Sequence, residues 1–169
     1  MAPAFVHHLS DLNHVHEELD DLFFDHQVAI LHCDCNGAKT LLGRYERGLS
    51  IHMREENEIL IPLYQERAVP TRGGDTTVFT GEHERIVEWL GRLKLRLSRL
   101  PALDPQPKDL LDLLDDEAHF KKFIEHHTLR EKNIFYPELE RVTTPGEKAG
   151  LIRLLTFTLV GLDNSPSEL

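Results

Sequence analysis

Two short stretches of the chain carry the same chemistry in the same order. His52-Met53-Arg54-Glu55-Glu56-Asn57-Glu58-Ile59-Leu60-Ile61-Pro62 aligns without gaps on His127-Thr128-Leu129-Arg130-Glu131-Lys132-Asn133-Ile134-Phe135-Tyr136-Pro137. In each, His is followed by Glu at +4, Ile at +7, an apolar residue at +8 and Pro at +10. Residues four apart on a helix share one face about a turn apart, so each His-Glu pair can aim an imidazole and a carboxylate at one point. A weaker echo precedes each copy: His16 with Leu19, Leu22 and Phe23 resembles His83 with Ile86, Trp89 and Leu90. Each half of the chain thus reads as His, then His-x3-Glu. Neutral imidazole nitrogen and carboxylate oxygen are natural ligands of first-row transition metals.

A lone His-x3-Glu is an ordinary helix-surface pair. Repetition, position in the apolar stripe and depth set these two apart. One stripe runs 41, 45, 49, 52, 56, 59, 63 and the other 113, 120, 124, 127, 131, 134, so both pairs fall on faces that should be buried. An unpaired carboxylate there costs several kcal/mol, and the stripes offer no Lys or Arg at those levels. With turns near Asp34–Gly37 and Asp104, His16 lies about 19 residues before the first and His52 about 17 after, while His83 lies about 21 before the second and His127 about 23 after. Positions equally far from an antiparallel turn share a height, so His16, His52, Glu56, His83, His127 and Glu131 converge on one layer. Four imidazoles with two carboxylates placed to bridge suit a pair of ions, iron first and manganese or zinc by ligand type. His14 and His26 compete with His16 for its place; His26 is about 15 Å along the helix from His16 and is left out. Asp20, four after His16, reads as a solvated acid, with an added ligand role as the alternative. His7, His8, His32, His119 and His126 read as surface or supporting groups, and Cys33 and Cys35 as two free thiols at a helix end.

The elements that must hold these side chains are set by apolar spacing and breakers. A first helix spans about 11–32, with Ser10-Asp11 as its cap and Asn36-Gly37 as its stop. A second spans about 38–65, with Pro62 kinking its last turn, and a third about 77–100. A fourth spans about 108–140, and Pro145-Gly146 precedes a short fifth over about 147–162. The pattern predicts an all-α fold: an antiparallel up-down-up-down four-helix bundle with a short C-terminal helix. One domain over residues 1–169 is expected, with its core at 11–140 and a C-terminal helix and tail at 145–169.

Nineteen Lys and Arg against 29 Asp and Glu leave a net charge of −10, while eleven residues are His. Such a surface repels phosphate backbones and anionic membranes, so neither nucleic acid nor membrane is an expected partner. Met1–His8 lacks the basic start and apolar run of a secretory signal, and 151–162, interrupted by Arg153, is too short to span a bilayer. A cytoplasmic protein is the expectation.

On the two in-register His-x3-Glu motifs and their partner histidines, the chain resembles the hemerythrin-like, or HHE cation-binding, family over about residues 11–140. The resemblance implies a four-helix bundle around a non-heme di-iron centre that binds oxygen or reacts with related small oxidants. His16, His52, His83 and His127 would be terminal ligands; Glu56 and Glu131 would bridge the irons beside an oxide, hydroxide or water. Two positions depart from the oxygen carriers of that family. Their second histidine on the third helix, four residues after the first, corresponds here to Val87, and their closing Asp at +5 is replaced by Glu131 at +4. Fewer histidines leave more open coordination sites, which favours reaction with oxygen, peroxide or nitric oxide over reversible carriage. The alternative is a metal or oxygen sensor, or an iron-binding module without turnover.

Overall fold

The computed structural model describes residues 8–69, 71–101 and 103–155, and among these every regular element is helical. A 3-10 turn at Leu9–Leu12 leads into α1 (Asn13–Leu31). The three residues 32–34 then reverse the chain into α2 (Cys35–Glu55). The expected stop at Asn36-Gly37 lies instead inside the first turn of α2. Cys33 makes the reversal with φ 57°, and the Asp34 side chain caps α2 by accepting from Gly37 N at 2.8 Å. A Cβ at position 37 would meet that carboxylate and push it out of its present place, so glycine leaves room for the cap as it stands.

The second segment does not run through Pro62 as a bent α-helix. It opens into a π-turn at Glu56–Leu60 and resumes as α3 (Ile61–Arg67), with Pro62 in the first turn. The second copy of the repeat behaves identically. After α4 (Thr76–Arg99), α5 (Pro107–Arg130) opens into a π-turn at Glu131–Phe135 and continues as α6 (Tyr136–Val142), with Pro137 in its first turn. Proline lacks an N–H and its ring clashes with the carbonyl four residues back. A π-turn accommodates this by lengthening the backbone bond to i→i−5: Ile61 N–H reaches Glu56 O, and Tyr136 N–H reaches Glu131 O. The extra residue rotates the downstream helix. Ile59, Leu63 and Ile134, expected on the buried stripes, are half-buried, while Leu60, Ile61, Tyr64, Phe135, Tyr136 and Leu139 take the core. Earlier in α2 the core position is Leu42, with Leu41 half-buried.

The short C-terminal helix is α7 (Pro145–Leu154), which starts earlier than expected because Thr144 and Glu147 form a capping box. The part expected beyond 155 lies outside the described residues.

Helix α1 packs on α2 and α5, and α4 packs on the same two helices, closing a four-helix ring. Two apolar clusters fill it. The larger holds Phe23, Tyr45, Leu90 and Phe120, and the smaller holds Leu12, Tyr64, Phe79, Phe135 and Tyr136. On every long helix the switch from one cluster to the other comes at the proposed ligands: His16 between Leu12 and Leu19, His52 and Glu56 between Leu49 and Leu60, His83 between Phe79 and Ile86, His127 and Glu131 between Ile124 and Phe135. The ligand candidates form a polar layer held between two dry ones. No helix among the described residues is long and apolar enough to cross a membrane.

Candidate metal centre

All six side chains singled out by spacing meet in this layer, and none is more than 6% exposed. Glu56 and Glu131 each open a π-turn, yet each keeps its backbone N–H bonded to the histidine four residues earlier, so both His-x3-Glu pairs survive the change of register. Across the bundle, Glu131 Oε1 lies 2.8 Å from His127 Nε2 and 3.7 Å from His83 Nε2, and its Oε2 lies 3.0 Å from His16 Nε2. Glu56 Oε2 lies 3.3 Å from His83 Nε2 and 3.8 Å from His52 Nε2. The Nε2 atoms of His16 and His52 face each other at 2.9 Å. Two groups result, Glu56–His83–His127–Glu131 and His16–His52–Glu131, with ligand atoms within 4.8 Å of one another in each.

Protein partners do not satisfy this layer. Both oxygens of Glu131, Glu56 Oε2, His83 Nε2 and His127 Nε2 are buried without a hydrogen bond among the described residues; even the 2.8 Å His127–Glu131 approach is misaligned for one. Buried polar atoms are rarely left so. Nitrogen and oxygen ligands about 2.0–2.2 Å from a common ion sit roughly 3 Å from each other, the spacing seen here. The residues present therefore fit a pair of metal ions.

Three groups that sequence reasoning did not place support the layer from outside. Glu82 Oε2 accepts from His127 Nδ1 at 3.1 Å and is itself held by Arg130, whose Nη1 also donates to Gly73 O. Asn57 Oδ1 accepts from His83 Nδ1 at 2.9 Å. With Nδ1 of each ring committed to an oxygen, Nε2 is turned inward, the nitrogen that offers its lone pair once a bound metal displaces its proton. Tyr136, fully buried, donates its hydroxyl to Glu56 Oε1 at 2.7 Å. Glu82 was visible in principle, since it continues the 86, 90, 93, 97 stripe backwards by one turn. Tyr136 was not, because only the π-turn rotates it inward.

Electrostatics reflect this crowding. Burial pulls His127 down, but Glu131 beside it and Glu82 behind it prevail and hold its pKa up at about 10. Burial likewise opposes charge on Glu131, yet His127, His16 and His83 hold it well below the usual carboxylate range. His83 is raised by Glu131 and Glu56 against its burial. His52, where burial dominates, is lowered. Burial and the Glu56 charge push Tyr136 well above an ordinary phenol, so it stays a neutral donor.

Of the histidines set aside, His14 is exposed beside Glu17, and His8, His32, His119 and His126 are exposed; His7 lies outside the described residues. His26 is the exception. It is fully buried, with Nδ1 donating to Ala38 O at 2.8 Å and Nε2 at 2.8 Å from Glu117 Oε1, a carboxylate that also accepts from Gln27. Both its nitrogens are taken by protein, so it stands apart from the centre as a structural pair. Cys33 and Cys35 are free, one exposed and one buried.

Among known families, the model of the hemerythrin HHE cation-binding domain matches residues 7–139. No curated protein and no solved structure matches the chain.

Proposed function

The chain belongs to the hemerythrin HHE cation-binding domain family, and on that footing we propose that it holds two iron ions and binds or reduces a small oxidant, namely oxygen, peroxide or nitric oxide. The observation that carries the reading is Glu131: a fully buried carboxylate with no hydrogen bond to either oxygen, reached by His127 and His83 on one side and His16 on the other. That arrangement suits a carboxylate shared between two ions, with His16 and His52 serving one, and His83, His127 and Glu56 the other. Iron, when bound, would supply the redox change and the open coordination sites. The chain's own residues position it: Glu82 and Asn57 fix the histidine tautomers, Tyr136 holds Glu56, and the apolar clusters on either side exclude water.

Metal analysis with absorption spectroscopy tests the proposal. About two irons per chain, with visible bands that change on adding peroxide or nitric oxide, are expected. One zinc per chain and no response to either reagent would replace it with a binding or sensing module.

A further inference from the structure

A cleft of about 450 Å³ opens between α2 and α4, with Ser50, Met53, Asn57, His83 and Val87 in its lining. Of the six candidate ligands, His83 is the one that lines it. Its ring stands across the boundary. The outer Nδ1 is bonded to Asn57, itself exposed, while the inner Nε2 faces Glu56 at 3.3 Å and Glu131 at 3.7 Å. The corresponding outer nitrogen of His127 is instead sealed behind Glu82 and Arg130. One turn along α4 from His83, Val87 lines the same cleft and is 58% exposed, so no helix packs over it there. Asn57 sits in the π-turn Glu56–Leu60, and its side chain is the hydrogen-bond partner of His83 Nδ1.

We propose that this cleft is the route by which a small ligand reaches the centre, that His83 and Asn57 form its inner gate, and that it favours neutral molecules over anions. The charge preference comes from its lining, where Glu58 and Glu84 outnumber Arg54, on a chain of net charge −10. Repulsion of anions by like charge on the walls lowers their arrival rate and weakens with salt. The inference rests on the proposed di-iron function.

Stopped-flow binding of nitric oxide and of azide to the iron-loaded full chain separates the two. Iron content and the unliganded spectrum are measured first. Val87→Trp and Ser50→Trp fill the cleft from exposed positions and should retain full iron while slowing nitric oxide binding by roughly tenfold, the range in which obstructed access shows in association rates. Leu111→Trp is an equally exposed control about 24 Å along α5 from His127 and should bind at the unmodified rate. Glu84→Lys should speed azide severalfold, an effect that fades with added salt, and leave nitric oxide unchanged. Unaltered nitric oxide rates in both tryptophan variants with iron intact would overturn the route. An azide rate indifferent to Glu84→Lys would overturn the charge preference. Failure of the unmodified chain to hold iron or bind nitric oxide would instead overturn the functional reading beneath both.

Discussion

The repeat makes Glu56 and Glu131 equivalent, but the bundle does not, and replacing each by glutamine measures the difference. Glu131 belongs to both ligand groups and Glu56 to one, its second oxygen being occupied by Tyr136. At a free metal concentration about 100 times Kd, each filled site adds about 2.7 kcal/mol to stability. In a chain of this size about 1 kcal/mol moves Tm by about 2–4 °C. Two sites should therefore raise Tm by about 10–20 °C over the metal-free form. Glu56→Gln leaves His16, His52 and Glu131 together, so about half that increment and about one ion per chain should remain. Glu131→Gln strips the shared carboxylate and should retain little of either. Each variant is compared with its own metal-free form, because Glu131 also neutralises His127. Thermal unfolding with and without metal, together with metal content, gives the answer. Equal losses in the two variants, or a full metal complement in Glu131→Gln, would refute the shared-carboxylate geometry.

Tyr136→Phe removes a buried hydrogen bond to a charged oxygen and should destabilise the metal-free chain by about 1.5–3 kcal/mol, read by urea unfolding; no change would mean that the 2.7 Å contact is unimportant. Glu82→Gln keeps the shape but loosens the hold on His127 Nδ1, so metal affinity in a competition titration should fall about 10–100-fold. In the metal-free chain His127 is raised from 6.5 to about 10, so its stabilisation is complete below pH 6.5 and disappears as pH climbs to about 10. Glu131 is lowered from 4.5, so its contribution is present above that value and disappears as pH falls below it; urea midpoints across pH should therefore decline on both sides. Metal affinity should instead rise with pH over the histidine range, because ligation displaces protons. Glu117→Leu breaks the fully buried pair with His26 and should cost about 3–5 kcal/mol with unchanged metal content; lost metal would show that the pair supports the centre.

Much of the candidate site was legible because its signals are local. A helix repeats its face every 3.6 residues, so His52 with Glu56 and His127 with Glu131 had to lie on common faces. The apolar residues flanking them showed that those faces turn inward. Counting from the turns placed His16 and His83 at the same height. The same reasoning misjudged Ile59, Leu63 and Ile134 and overlooked Tyr136, all for one cause. Pro62 and Pro137 announced an irregularity, but a kink and a π-turn both satisfy a missing N–H, and only the π-turn shifts the downstream face by a residue. His26 and Glu117 shared a different obstacle. Both sit on buried stripes, but they are 91 residues apart and pair across α1 and α5.

By itself, then, the amino-acid order determined the helical segments, the candidate ligands and the layer in which they lie, since these depend on spacing along one chain segment at a time. Tertiary structure decided how far each helix is rotated about its axis and how closely it approaches its neighbours. Those two quantities make Glu131 the shared carboxylate and Glu56 the one tethered to Tyr136, and they leave His83 facing the cleft. They are set by how two apolar clusters pack above and below the polar layer, a balance summed over contacts from four helices at once, which no single segment encodes.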